Sequence, residues 1–214
     1  MDFQPVKASD KEIIDKYMKK ANSRSCDMSF AAVYLWKDFY LLEYTVCEDM
    51  LIFRTTEDGS SYSFPIGDAS PEKALLALEA HCKENEEPLK LHCVYRENEA
   101  WLEEHMPGKF EIEFDRDSAD YIYECEKLIG LKGKKFHGKK NHVNKFIKTY
   151  DWAYEKITDD NIDDCLAMLY KWKEINCEPG NIEKHAEACV SENALRERAV
   201  SYTHLRAHET VLDL

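Results

Sequence analysis

Seven lysines and no acidic residue lie between Gly130 and Lys148, in the stretch Gly-Leu-Lys-Gly-Lys-Lys-Phe-His-Gly-Lys-Lys-Asn-His-Val-Asn-Lys-Phe-Ile-Lys. Ammonium groups at that density suit phosphate or carboxylate oxygens, to which they make charge-assisted hydrogen bonds. Gly130 and Gly133 leave room for a close backbone turn, and a glycine-containing loop that enters a helix can present free N–H groups to phosphate. The chemistry marked out is anion binding, with the phosphate belonging to a nucleotide, CoA, an RNA end or a lipid head group. The plainer alternative is a solvated lysine face on an amphipathic helix. His137 and His142 are five residues apart, which on a helix sets them on different faces and argues against a metal pair; either suits a general base.

A helix must position these groups. At 100° per residue, Phe136, Val143, Phe146, Ile147 and Tyr150 share one arc of about 100°, which predicts a docking face. Lys134, Lys145 and Lys148 point the other way. Lys140 falls about 40° from Phe136, so the pattern leans it toward the buried side, where it would need a partner. Gly138 is the exception to helical propensity, costing about 1 kcal/mol relative to alanine. Either the helix starts later or something approaches there.

Around this segment the pattern predicts a mixed α/β chain. Ser9-Asp10-Lys11-Glu12 resembles a capping box, with Ile13, Ile14, Tyr17 and Met18 following at helical spacing. A short helix is expected over 29–37. Three strands are expected at 39–46, 50–55 and 61–66, joined by Glu48-Asp49 and by 57–60 as an antiparallel meander. Pro71 starts a further helix. Strand, helix and strand are expected at 89–95, 97–105 and 110–114. Beyond Asp115-Arg116-Asp117 the order repeats in outline: strand 121–123, the basic helix, strand 152–157, then a helix over 161–176 with Ile162, Cys165, Leu166, Leu169 and Trp172 on one face. Glu178-Pro179-Gly180 breaks the chain before a last helix from Ile182.

Composition sets limits. With 214 residues, 44% of them hydrophobic, the chain can bury a substantial core. Its apolar runs fall far short of the roughly 20 residues a bilayer span needs, and the first residues do not read as a secretory signal, so the expected location is the cytoplasm. The net charge is −13, and outside the lysine segment the balance is −20, which excludes whole-surface binding of polyanions and leaves one cationic segment on an acidic body. The eight cysteines contain no CxxC pair and read as reduced, mostly buried small hydrophobes. No Gly-x-Ser-x-Gly elbow supports a serine hydrolase. Glu86-Glu87, Glu103-Glu104 and Asp163-Asp164 are adjacent carboxylates, expected to point apart into solvent, and the four tryptophans read as core.

The end of the chain reads differently. Val200 to Thr210, Val-Ser-Tyr-Thr-His-Leu-Arg-Ala-His-Glu-Thr, resembles the conceptual translation of a transposase-type sequencing adapter. Residues 199–214 are therefore expected to be a non-native tail and are set aside from fold reasoning, together with the helical spacing of His204 and His208. Apolar surface is expected to lie open on Ile162, Leu166 and Leu169, and the tail is expected to find no packing partner.

The pattern from Leu128 to Phe146, Leu-x-Gly-x-x-Gly-Lys-Lys-Phe-His-x-Lys-Lys-Asn-His-Val-Asn-Lys-Phe, resembles the signature of the bacterial phosphatidylglycerol lysyltransferase C-terminal-like family, which is related to the Fem-type peptidyltransferases. Ser29-Phe30-Ala31 to Trp36-Lys37 and the strand pair after it also fit. The resemblance covers roughly residues 10 to 198. It implies an α/β (α+β) fold of two acyltransferase domains of the GNAT type in tandem. The first, complete but degenerate, would occupy 1–115, because no Q/R-x-x-G-x-G/A donor loop is present there. The second, truncated, would occupy 116–198. The implied activity is acyl or aminoacyl transfer, with acyl-CoA or aminoacyl-tRNA as co-substrate rather than a tightly bound cofactor, and an amine or lipid head group as acceptor. This chain itself is expected to be inactive, its donor pocket lying in the missing part. The carried-over candidates for holding the polyanion are Lys135, His137, Lys139, Lys140, Asn141, His142 and Asn144; no catalytic residue and no metal ligand is assigned. The alternative is a non-catalytic module that binds RNA or anionic lipid through the basic helix over 132–148.

Overall fold

The computed structural model describes residues 1–21, 23–57, 59–177 and 181–197. The tail expected to be non-native lies outside them. The chain divides into two compact units, one formed by Met1–Phe114 with the described residues from Leu166 on, the other by Asp115–Cys165.

The first unit is an α+β layer structure around a five-stranded sheet in sequential order. Strand β1 (Gln4–Pro5) pairs antiparallel with β2 (Glu43–Cys47), and β2 with β3 (Met50–Thr55). β1 lies at the sheet's edge, where the missing N–H of Pro5 costs least. The β2–β3 hairpin closes through Glu48 and Asp49, both at positive φ, which matches the twist of paired strands. β3 pairs antiparallel with β4 (Ser61–Ser63), and β4 runs parallel to β5 (Leu91–His92), the crossover being helix α3 (Glu72–Glu84).

Strand β3 shows why the sheet is central. All of Met50, Leu51, Ile52 and Phe53 are buried, yet they alternate between two clusters. Leu51 and Phe53 pack with Ile14, Tyr17 and Met18 of α1 (Lys11–Ala21) and Phe30 and Val33 of α2 (Phe30–Trp36). Met50 and Ile52 pack with Ala74, Leu78 and Cys82 of α3. Helices cover both faces, so the strand reads as a continuous apolar run rather than an alternating one. A third cluster seats Leu102 of α4 (Arg96–His105) against Phe64 and Leu75.

Local signals account for the helix starts. The Ser29 hydroxyl accepts the Ala32 N–H at 3.2 Å and caps α2. Pro71 precedes α3. The Asp10 carboxylate accepts the Lys7 N–H at 2.9 Å in a 3-10 turn (Ala8–Asp10) that leads into α1.

Five expectations need correction. Residues 110–114, 121–123 and 152–157 form no strand; the described chain offers them no neighbouring strand, and an unpaired extended segment makes no ladder. Of the cysteines, Cys82 is buried, four are half-buried, and Cys26, Cys125 and Cys189 are exposed. Glu87 is not a solvated carboxylate, since it accepts a hydrogen bond from the hydroxyl of buried Tyr62, and that bond holds its pKa below the usual carboxylate range. Leu169 of α7 (Ile162–Asn176) is buried and Ile162 and Leu166 are half-buried; open apolar surface lies instead on Phe114, Tyr121, Tyr154 and the basic helix. Trp152 and Trp172 are likewise exposed. Helix α8 (Ile182–Arg196) follows, and Glu197 just after it accepts a 2.8 Å bond from the Tyr34 hydroxyl of α2.

Candidate anion-binding site

In the second unit a short helix α5 (Cys125–Gly130) ends where Leu131 turns left-handed, at φ 41°, its N–H bonding the Lys127 carbonyl at 2.9 Å. Gly133 is also at positive φ, 91°. Two such residues within three fold the chain sharply. A 3-10 turn over Lys134–Phe136 then leads into α6 (His137–Thr149), with the Phe136 N–H bonding the Gly133 carbonyl at 3.1 Å. Phe136 is buried and anchors the turn.

This turn and the first turn of α6 enclose an open concavity of about 520 Å³ lined by Leu131, Lys132, Gly133, Lys134, His137 and Lys140. Three of the six are lysines and one is a histidine; no carboxylate is among them. Their mutual repulsion is relieved by an anion seated between them, and a phosphate oxygen is the natural acceptor for several ammonium donors at once. Because the concavity is open to water, that attraction weakens with salt.

Two of the seven carried-over candidates, His137 and Lys140, line the concavity. Lys135, Lys139, Asn141, His142 and Asn144 lie outside its lining. The Lys139 ammonium instead stands 5.5 Å over the Tyr123 ring. Lys140 is exposed rather than leaning into a core, because the arc it borders is uncovered. Lys132 and Lys134 are lining residues that the motif comparison left out; the signal for them is the turn itself, and Gly133 was its visible half. Among the described residues no group of three His, Cys, Asp or Glu side chains is placed to hold a metal ion.

The family described as phosphatidylglycerol lysyltransferase, C-terminal, matches residues 18–203. The chain belongs to that family. A crystal structure of a conserved protein of unknown function from Bacteroides thetaiotaomicron is 30% identical and superposes with a TM-score of 0.85, covering 93% of this chain and 68% of that one. An uncharacterised protein of Mycoplasmoides gallisepticum is 33% identical over 63 residues, which are 28% of this chain and 20% of that protein, so the chain matches about a fifth of that relative's length. The lysyltransferase-family match spans both compact units and includes the whole of the concavity. Among the described residues no helix is long and apolar enough to cross a membrane.

Proposed function

We propose that this chain belongs to an aminoacyl transferase that moves an aminoacyl group from aminoacyl-tRNA to a lipid head group, and that its concavity holds a phosphate of the donor. The observation that carries the reading is a carboxylate-free recess in which Lys132, Lys134, His137 and Lys140 converge, within a chain of the lysyltransferase family. In such a transfer the acceptor hydroxyl attacks the ester carbonyl and the tRNA ribose oxygen leaves. Holding the two reactants in register supplies much of the rate, without a covalent intermediate. Phosphate-gripping lysines do that positioning, and His137 stands where it can accept a proton. No residue of the chain is assigned as its nucleophile. In this reading residues 1–115 correspond to a degenerate GNAT-like domain and 116–198 to the start of a second, with acyl-CoA as the competing donor.

The test is binding of aminoacyl-tRNA and of CoA to the chain and to Lys132→Glu/Lys134→Glu. The expected result is at least a tenfold, roughly, loss of affinity for one of the two donors, with the salt dependence of tRNA binding shallower by about two units of slope if tRNA is that donor. Unchanged affinity for both would overturn the reading. A second reading, a non-catalytic anion-binding module, is favoured by the lack of any carboxylate base in the lining. It predicts the same binding loss, but no aminoacyl transfer to phosphatidylglycerol even by the full-length parent protein supplied with the charged donor, whereas the transferase reading predicts transfer by that parent.

A further inference from the structure

Helices α7 and α8 lie against each other in antiparallel register, and three contacts fix it. The Tyr170 hydroxyl donates to the Glu192 carboxylate at 2.8 Å, the Lys173 ammonium reaches the Cys189 sulfur at 4.0 Å, and the thiol of Cys177, just past the end of α7, donates to the Lys184 carbonyl at 3.4 Å. Each step forward along α7 is matched by a step back along α8, so Lys173 and Cys189 are opposed by the helices themselves and not by one chance rotamer. Glu192, one turn further along α8, takes its hydrogen bonds from Tyr170 and, at 2.9 Å, from Arg196 rather than from Lys173. Cys189 is exposed and Lys173 half-buried. We propose that these two residues form a redox-sensitive cross-link: when a peroxide oxidises the Cys189 thiol, the Lys173 amine captures the sulfur and staples α7 to α8.

The chemistry takes two steps. Peroxide reaches an exposed thiol and converts it to the sulfenic acid, the sulfur losing two electrons and the peroxide leaving as water. A sulfenic sulfur is electrophilic and condenses with a thiol or a nitrogen. Lys173, after its ammonium has given a proton to water, attacks that sulfur; the S–N bond forms, the S–O bond breaks, and the hydroxyl departs with an amine proton as water. The product is a sulfenamide with two hydrogens fewer than the separate side chains. The flexible four-carbon stem of lysine closes the 4.0 Å gap by rotating about its own bonds, with no movement of either helix. Two equivalents of a small thiol undo the bond, returning Cys189 and Lys173 and leaving as a disulfide. All the groups involved lie outside the concavity, so this inference and the transferase reading fail separately.

The experiment is peptide mapping by mass spectrometry after brief treatment of the unaltered chain with hydrogen peroxide. The peptides holding Lys173 and Cys189 should appear joined, lighter by two hydrogens than their sum, and should separate again on treatment with dithiothreitol. Cys189→Ser should abolish the joined species. Lys173→Arg keeps the positive charge beside the sulfur but offers no comparable amine, so it too should abolish the link, while capture of the Cys189 sulfenic acid by dimedone rises by about tenfold or more because nothing in the chain consumes it. Both substitutions fall on surface side chains and should leave the fold unchanged. Oxidation of Cys189 that leaves the Lys173 peptide separate overturns the proposal. So does a joined species that survives Lys173→Arg, or one that forms between chains when isotopically labelled and unlabelled protein are mixed, or a Cys189 that ends instead in a disulfide with another cysteine.

Discussion

Strand β3 and helix α6 carry similar apolar residues and end up in opposite surroundings. Ile52 on β3 is fully buried, pressed between α3 and the sheet, while Ile147 on α6 is 50% exposed. Both were readable as members of an apolar face. The difference is that the first unit supplies something on both sides of its sheet, whereas the described part of the second supplies nothing over α6. Periodicity tells which residues share a face; only the fold tells whether that face is filled. One unit therefore stores its apolar surface as stability, and the other presents it beside a cationic recess.

The sharpest way to break this contrast is a pair of truncations. Ile52→Ala should destabilise the chain by about 2–5 kcal/mol, the cost of an unfilled core cavity, and lower the urea midpoint accordingly. Phe146→Ala, on the exposed face, should cost well under about 1 kcal/mol. Equal losses in the two variants would mean that α6 packs as tightly as β3 and that its apolar arc is not free.

Acid tests the same contrast through a single group. His92 on β5 bonds the Ser61 side chain at 2.9 Å, and burial pushes its pKa down to about 4. Its unfolded value is near 6.5, so between those limits the unfolded chain binds a proton that the folded chain refuses. Stability is thus full above pH 6.5 and falls as the pH drops toward 4, by about 3 kcal/mol from this residue. Urea titrations at a series of pH values should show that slope, and His92→Asn should flatten it. A slope unchanged in His92→Asn would assign the acid sensitivity elsewhere, for instance to Glu87, whose pKa is lowered by the Tyr62 bond and whose contribution is lost at still lower pH.

How much of this was legible follows the same division. Glu48-Asp49 as a hairpin loop and Pro71 as a helix start are local chemistry, and each took the place its residue type demands, whereas Ser29, expected inside its helix, caps it instead. Residues 110–114, 121–123 and 152–157 had strand-like residues but needed a neighbour, which local pattern cannot reveal. The lysine segment was legible as a helix entered through a glycine turn. Its concavity was only half legible, since His137 and Lys140 were named but Lys132 and Lys134 were not. Their placement depends on Leu131 at positive φ, a conformation leucine seldom adopts and no propensity announces. The lean of Lys140 toward a buried side failed for the reason α6 differs from β3: the face existed, the cover did not.

The turn can be tested at its visible half. Gly133 has φ 91°, and although open space surrounds the position a Cβ would take, an alanine there must adopt a backbone that L residues avoid. Gly133→Ala should cost about 1–2 kcal/mol or, if the second unit yields instead, loosen the turn and weaken donor binding without lowering the overall melting point. Thermal melting and a donor titration read together separate the two, and an alanine variant unchanged in both would show that the left-handed turn does not hold the recess.

Gly138 gives the smallest effect and the finest distinction. It is the second residue of α6, and a Cβ built there meets nothing within 4 Å. Gly138→Ala should therefore stabilise the helix by roughly 0.5–1 kcal/mol, by removing backbone freedom from the unfolded chain at no steric cost. The sequence left two accounts of this glycine, a later helix start or an approaching group, and the helix begins before it, at His137. Gly138 is not part of the concavity's lining, so a phosphate held by Lys132, Lys134, His137 and Lys140 should bind the alanine variant as tightly as the original. If affinity for the donor falls while stability rises, the ligand passes over the helix at residue 138.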